Sequence, residues 1–403
     1  MSDTDVTIPA FDPTTTDFYG RPDYQSVLTM LRDEAPVHRV GDGLVTVARY
    51  EDIREVSREP RRFRSGAGAM VHDPIRSGTM RDTAPSILFV DPPEHAQQRG
   101  LVNRKFTPRA VSGMEARVRE LAATVFDRLP ADAEPIDVVD HLTAPFPLMV
   151  IAELLGIPAS DRHLLRPWSQ AIVKMYEYDR TPEHEAQAKT AGAEFAAYVS
   201  RLAVARRASP GDDLVSHLAL VEDGGERLSE RELVATCVLL LNAGHEASVN
   251  AFGNGLVALF RQPGELARLQ ADPWGLSHTA VEEFLRFDSP LHLFERTAKQ
   301  PTVVGGVELG AGEKIAALLG SANRDPLAFD RPGVMDVGRD PNPHLGFGSG
   351  IHFCLGAPLA RLELQISLPL LVERFPRLAL DGDPELRRTF VLRGYESVPV
   401  RLS

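Results

Sequence analysis

A cysteine in a glycine-rich turn is the first group in this sequence that could do chemistry. In 347-FGSGIHFCLGAPLARLELQ-365, Cys354 stands just ahead of Leu359, Leu362, Ile366 and Leu370, which repeat at helical spacing. The sulfur therefore lies at or beside a helix N-terminus, where unpaired N–H groups and the positive end of the dipole favour thiolate over thiol. Gly348, Gly350 and Gly356 let the backbone turn tightly and approach something closely. Such a thiolate can be a nucleophile, a zinc ligand or a ligand to haem iron. A nucleophile wants a histidine base held by a third group, and a histidine such as His352, two residues away on a tight loop, has poor geometry for that. Zinc wants three or four Cys/His ligands at recognisable spacing, against 2 cysteines and scattered histidines here. Haem needs one axial thiolate, because the porphyrin supplies the in-plane ligands.

A second patch lies in SERELVATCVLLLNAGHEASVNAFGNGLVALFRQ. Ser229 and Glu232 form a capping box. The run that follows predicts a helix of more than thirty residues, on the order of 50 Å, crossing the whole molecule. Apolar residues around its circumference imply burial. Its middle nonetheless carries Asn242, Ala243, Gly244, His245, Glu246 and Ser248. This patch reads equally as a helix-packing notch or as a functional groove.

The elements around these residues read as mainly helical, with MEARVRELAATVFDRL and PEHEAQAKTAGAEFAAYVSRLAVARR as further amphipathic helices. Short strands come early and late. VHRV and LVTVARY flank Gly41-Asp42-Gly43 as a hairpin, and VVGGVEL with KIAALLG suggests a second. Pro369 should kink the helix after the cysteine or end it early. Cys237, in an apolar helical run, reads as a small buried hydrophobe. In a reducing compartment the two cysteines are a weak disulfide candidate. The expected fold class is mainly α with small β-sheets. A polar N-terminal segment over 1–20 precedes a single domain over 21–403, since no linker, low-complexity run or repeat interrupts the chain.

The chain has 403 residues, 43% hydrophobic and 25% charged, enough to bury a large core. A net charge of −12 argues against a nucleic-acid or anionic-membrane partner. The polar, acidic N-terminus lacks the features of a signal peptide, and no apolar run is long enough to span a bilayer. These features predict a soluble, cytoplasmic protein, taken as a monomer.

The motif F-G-x-G-x-H-x-C-x-G, met at Phe347, Gly348, Gly350, His352, Cys354 and Gly356, resembles the haem-ligand loop of the cytochromes P450, the haem-thiolate monooxygenases. The chain is similar to soluble bacterial members, of the kind found in actinomycete natural-product metabolism, from about residue 20 to its end. The resemblance implies the cytochrome P450 fold, with the long central helix over the haem. It further implies haem b (iron protoporphyrin IX) on Cys354, with Phe347, Gly348, Gly356 and Ala243 beside it. Glu283 and Arg286 occupy the family's E-x-x-R positions and would brace the cysteine loop. Val334 stands where the family has a third, arginine member, which leaves Arg331 and Arg339 as the candidates to replace it. Helical spacing puts His95 and Arg99 on one face, where they resemble the family's propionate pair; Arg296 and His352 fit the other propionate contacts.

On the distal side, Ala243 and Gly244 would leave room for dioxygen, and Glu246 matches the family's acid. Most members follow that acid with threonine, and here Ala247 stands instead. Ser248 lies about 100° further around the helix and cannot simply inherit the threonine's position. Proton supply then has three readings: a substrate hydroxyl or ordered water, which is favoured; peroxide; or chemistry with no ordinary proton relay. By resemblance, Leu88, Leu240, His245, Leu291, Leu293, Phe294 and Tyr395 line the substrate pocket, and the loop GAGAMVHDPIRSGTMRDTAPSILF acts as a lid. With no flavin or nucleotide motif and no iron–sulfur cysteine cluster, electrons must come from a separate ferredoxin and its reductase. Arg104, Lys105 and Arg109 offer a local basic patch. The implied activity is monooxygenation of an organic substrate with dioxygen. The alternatives are a haem-thiolate ligand-binding or sensor protein, or a peroxide-dependent or coupling enzyme.

Overall fold

Capping chemistry and apolar spacing become helix along most of the chain. The computed structural model describes residues 11–402 apart from 14, 22, 41–43, 67–85, 131–134, 178–179, 223–224, 226, 388 and 390–391. The Gly41-Asp42-Gly43 turn and most of the expected lid lie outside the described residues.

The helices that shape the site are α1 (Tyr50–Arg58), α2 (Glu94–Asn103), α3 (Pro145–Leu155), α4 (Leu165–Val173), α5 (Pro182–Ala208), α6 (Glu230–Phe260), α7 (Pro273–Phe287) and α8 (Ala357–Arg374). α6 is the long central helix. At its start the Glu232 N–H donates to Ser229 Oγ at 3.2 Å and the Ser229 N–H donates to Glu232 Oε2 at 2.7 Å, the reciprocal capping the sequence predicts. Its 31 residues span about 47 Å. Two glycines set its neighbours. At Gly255 a Cβ would stand 1.9 Å from the Phe284 ring of α7. At Gly244 it would stand 2.8 Å from Ile151 Cδ1 of α3. α8 packs on α7 in turn, and Phe252, Leu256, Phe284, Leu364 and Leu368 close the core between them.

α8 continues past Pro369 to Arg374, so the expected early end does not occur. Leu368, Leu371 and Val372 are at most 2% exposed. Burying that face outweighs the one backbone hydrogen bond proline removes.

The strands are short. β1 (Val37–Val40) and β2 (Leu44–Val47) form the expected hairpin, with Val40 opposite Leu44. They continue into a sheet with β3 (Phe63–Arg64), β4 (Phe294–Ala298) and a later strand. The second expected hairpin is corrected. VVGGVEL folds on itself as β5 (Thr302–Val304) and β6 (Val307–Leu309). Gly305 and Gly306 turn between them at φ 52° and 83°, the left-handed pair a two-residue hairpin turn requires. KIAALLG instead supplies β7 (Lys314–Ala317), parallel to β2 and antiparallel to β4. The sheet order is β1-β2-β7-β4-β3. Near the C-terminus β8 (Glu385–Leu386) pairs with β9 (Tyr395–Ser397). The fold is mainly helical with small sheets. Both cysteines are free, Cys237 fully buried as expected. Among the described residues no helix is long and apolar enough to cross a membrane.

Candidate active site

The loop before α8 is held by its own backbone and by α1. The Cys354 N–H donates to Phe347 O at 2.9 Å. Gly350, at φ 73°, is required because a Cβ there would lie 2.3 Å from Ser57 O. The close approach this glycine allows is therefore to the end of α1. Cys354 keeps some surface, which faces a cavity. Burial pushes its thiol pKa up; the N–H groups of Gly356 and Ala357 and the charges of Arg99 and Arg361 pull it down by less. The expected preference for thiolate at the helix start is thus reversed in the protein alone, because desolvation outweighs the dipole. A bound cation would restore the thiolate.

Glu283 and Arg286 are fully buried and paired twice, Nε to Oε2 at 2.7 Å and Nη2 to Oε1 at 2.6 Å. The third arm is Arg339, whose Nε donates to Glu283 Oε2 at 3.1 Å, while Arg331 pairs with Asp330 at the surface. Val334 contributes its carbonyl, which accepts from Arg286 and Arg339. The brace reaches the cysteine loop through Asn323: Arg286 Nη1 donates to Asn323 O, and the Leu345 N–H donates to Asn323 Oδ1 at 2.7 Å.

Opposite the cysteine, from Leu240 to Leu259, α6 keeps surface only at Ala243, Gly244 and Ala247. All three open on the same cavity as Cys354. The small-residue patch is therefore groove and notch together, since Gly244 also admits Ile151. Of the residues assigned to a substrate pocket, Leu88, Leu240, Leu291, Leu293 and Phe294 line this cavity. His245 and Tyr395 do not: Tyr395 is buried on β9, and His245 Nδ1 donates to Leu241 O at 2.7 Å. Ile151 and Leu392 line the cavity in addition.

Glu246 turns away from this cavity. Its Oε2 accepts from Arg387 Nη1 at 2.8 Å and its Oε1 lies 3.4 Å from His245 Nε2. Burial pushes the carboxyl up, but His245 and Arg387 overcome that and hold it down at about 2. Ser248 does reach the cavity. Behind it lies a residue sequence reasoning missed, Glu363 of α8, 1% exposed. Burial pushes Glu363 up to about 8, a hydrogen bond from Ser248 opposes this, and Glu363 Oε2 has no partner. The available signal was an acid four residues after Leu359 on an otherwise apolar stripe.

Four donors gather at the cavity edge. His95 and Arg99 share a face of α2, and the His95 and His352 rings lie 4.3 Å apart. The Nε2 atoms of both histidines are buried without a partner. Arg99 Nη2 donates to Phe353 O at 2.6 Å, and the buried Arg296 uses Nη1 on Glu295 O at 2.8 Å. Burial lowers Arg296 to about 10, and burial with the charges of Arg296, His95 and Arg99 lowers His352 to about 2. Such a buried excess of donors calls for anionic acceptors. One thiol on the cavity floor and unsatisfied donors at its edge fit an iron porphyrin with two carboxylates. Among the described residues no three His, Cys, Asp or Glu side chains gather to hold a metal by themselves.

The expected basic patch is partly neutralised, because Lys105 pairs with Asp212 at 2.6 Å. Beside the cysteine loop, Arg54, Arg58, Arg361 and Phe353 line an open hollow that Glu282 shares; Arg361 pairs with Glu282 at 2.7 Å and Arg54 with Glu51 at 2.9 Å, so its charge too is partly neutralised.

The family model described as Cytochrome P450 matches residues 36–272 and 276–392. Cytochrome P450 107B1 of Saccharopolyspora erythraea is 38% identical over 384 residues, covering 91% of this chain and 92% of its own. Vitamin D(3) 25-hydroxylase of Pseudonocardia autotrophica is 39% identical over 380 residues, covering 92% of each chain. The solved structure of the bacillaene polyketide synthase cytochrome P450 PksS of Bacillus subtilis is 35% identical. It superposes with a TM-score of 0.87 over 98% of this chain and 100% of that one.

Proposed function

Because the chain belongs to the cytochrome P450 family, and is a haem-thiolate monooxygenase, we propose that it hydroxylates or epoxidises a bulky, largely apolar molecule of secondary metabolism. The observation that carries this reading is one apolar cavity bounded by Cys354 below and by Ala243, Gly244 and Ala247 above. The substrate class is supported by that lining and by relatives whose names specify polyketide biosynthesis and vitamin D(3) hydroxylation.

Cys354 would ligate the iron of haem b, and His95, Arg99, Arg296 and His352 would hold its two propionates. When bound there the haem supplies the activation of dioxygen, assisted by thiolate donation. The chain's part is to exclude water, orient the substrate and supply protons. Ala247 offers no hydroxyl, and Arg387 holds Glu246 off the cavity. The space beside Ala247 is therefore assigned to a substrate hydroxyl, or to a water that the substrate orders. Ser248 stands behind it as a donor. Glu363, which burial keeps largely protonated at pH 7, can turn its carboxyl O–H toward Ser248 Oγ and so back Ser248 as a hydrogen-bond donor.

Electrons are assigned to a separate acidic ferredoxin with its reductase, in the cytoplasm. The hollow beside the cysteine loop, where Arg58 and Phe353 lie, is the face assigned to such a carrier. Turnover with ferredoxin, reductase and isotopically labelled dioxygen, on polyketide- and sterol-like candidates, tests the reading. One labelled oxygen atom per product molecule is expected. Unlabelled product, or electron consumption with no product from any candidate, would overturn it.

A further inference from the structure

Two leucines of the cavity wall come from loops rather than from regular elements. Leu291, between α7 and β4, and Leu392, just before β9, face each other as an isolated antiparallel bridge, and both line the cavity beside Pro290. Behind them stands Arg393. Its N–H donates to Pro290 O at 2.7 Å, its Nε to Asp288 Oδ1 at 2.8 Å and its Nη1 to Tyr19 O at 2.6 Å. Asn254 of α6, 1% exposed, closes the arrangement: its Nδ2 donates to both Arg393 O and Asp288 O at 3.0 Å. Gly394 lies against the same helix, where a Cβ would stand 1.7 Å from Asn250 Oδ1. Tyr19 belongs to the first short helix, Thr16–Gly20. Its ring stacks on that of His292, with centroids 3.5 Å apart, and Phe18, Tyr19 and Tyr24 share a core with Leu293. Among the described residues the cavity lining begins only at Ser57. The N-terminal segment therefore supports the wall without touching what the cavity holds.

We propose that Arg393 is a positioning residue for substrate selection: it fixes the Leu291–Leu392 wall by tying it to Asp288, to α6 and to the N-terminal segment together. This rests on the reading of the cavity as the substrate site. A guanidinium is a planar fork with five donors, so one side chain holds a carboxylate and a carbonyl in set directions. The side chains of Arg393 and Asp288 are only 15% and 16% exposed, and the Tyr24 ring centroid lies 5.2 Å from Arg393 Cζ, so the pair is largely shielded from salt. The wall is thereby ordered before any substrate arrives. A ligand that packs on it does not bear the cost of ordering both leucines and their loops. A lysine in this place is a point charge that reaches one acceptor and cannot hold both directions.

The test titrates the full-length ferric holoenzyme optically with two ligands of haem iron, imidazole and the bulky triaryl imidazole clotrimazole. Imidazole needs only the iron, whereas clotrimazole fills the cavity and packs on its walls. In Arg393→Lys and Arg393→Met the Kd for clotrimazole should rise about tenfold, while that for imidazole stays within about twofold. Arg393→Lys keeps a charge for Asp288, so it decides the matter if Arg393→Met does not fold. Adding Arg393→Lys to Leu392→Ala should change little further, because the wall it positions is already gone. Unchanged clotrimazole affinity in Arg393→Lys would overturn the proposal. So would a parallel loss of both ligands, which marks a general structural role, or full additivity with Leu392→Ala. Failure of the monooxygenase reading looks different: no product from the wild type while the contrast between the two ligands stands.

Discussion

In the proposed reading, Ala247 and Glu363 together govern how this site obtains protons. Ala247 leaves space where a hydroxyl would otherwise stand, so a substrate with its own hydroxyl should fill the role. Ala247→Thr should then lower product per electron pair with the true substrate, because the new side chain occupies that space. If the alanine enzyme couples poorly and threonine repairs it, substrate assistance is wrong. Glu363 makes a prediction about stability. Its folded pKa of about 8 stands above its ordinary value of 4.5. Below 4.5 both folded and unfolded states are protonated; as pH rises through 4.5 to 8 only the unfolded state ionises, and the fold loses stability. The loss is on the order of 5 kcal/mol at about 1.4 kcal/mol per unit. Thermal melts of wild type and Glu363→Gln should therefore diverge in favour of the variant between pH 5 and 8; parallel curves would mean that Glu363 ionises freely. Much of the site was legible in the sequence because Cys354, Glu283/Arg286 and His95/Arg99 announce themselves by local spacing. Arg387 and Glu363 were not, and Arg339 could only be narrowed to one of two candidates, because each acts on a partner brought near only by the tertiary fold. His245 and Tyr395 were misplaced because neighbouring residues on a helix or strand face different sides.

Glycines govern how closely α6 meets its neighbours. Gly253 and Gly255 sit two residues apart, yet a Cβ at Gly253 meets nothing within 4 Å while one at Gly255 would penetrate the Phe284 ring. Gly253→Ala should therefore stabilise by about 0.5–1 kcal/mol through helix propensity. Gly255→Ala should cost at least about 1–3 kcal/mol as α7 is pushed away. Denaturant unfolding measures both, and equal effects would contradict the packing described. The long helix and its cap could be read directly, since capping box and apolar run are local. β7 could not, because its partners β2 and β4 flank it in space and β2 lies far off in sequence. Pro369 misled for a related reason: propensity argues for a break, and the burial of its neighbours overrides it.

The whole molecule carries a net charge of −12 but sets Arg58 beside the cysteine loop, next to the ion pairs Arg361–Glu282 and Arg54–Glu51. Reduction by an acidic ferredoxin should slow as ionic strength rises, and Arg58→Glu should lower kcat/KM for ferredoxin while sparing kcat at saturation. No change in either would place the electron entry elsewhere. Everything at larger scale converges on one thiol: α8 presents it, α7 braces its loop, and α6 roofs the cavity above it. The most direct measurement is the Soret band of the ferrous carbon-monoxide adduct of the haem-loaded protein and of its Cys354→Ser variant. A red-shifted band in the wild type that is lost in the variant is the predicted result. A band at the position of a histidine-ligated haem, or one unaffected by removing the sulfur, would contradict the account.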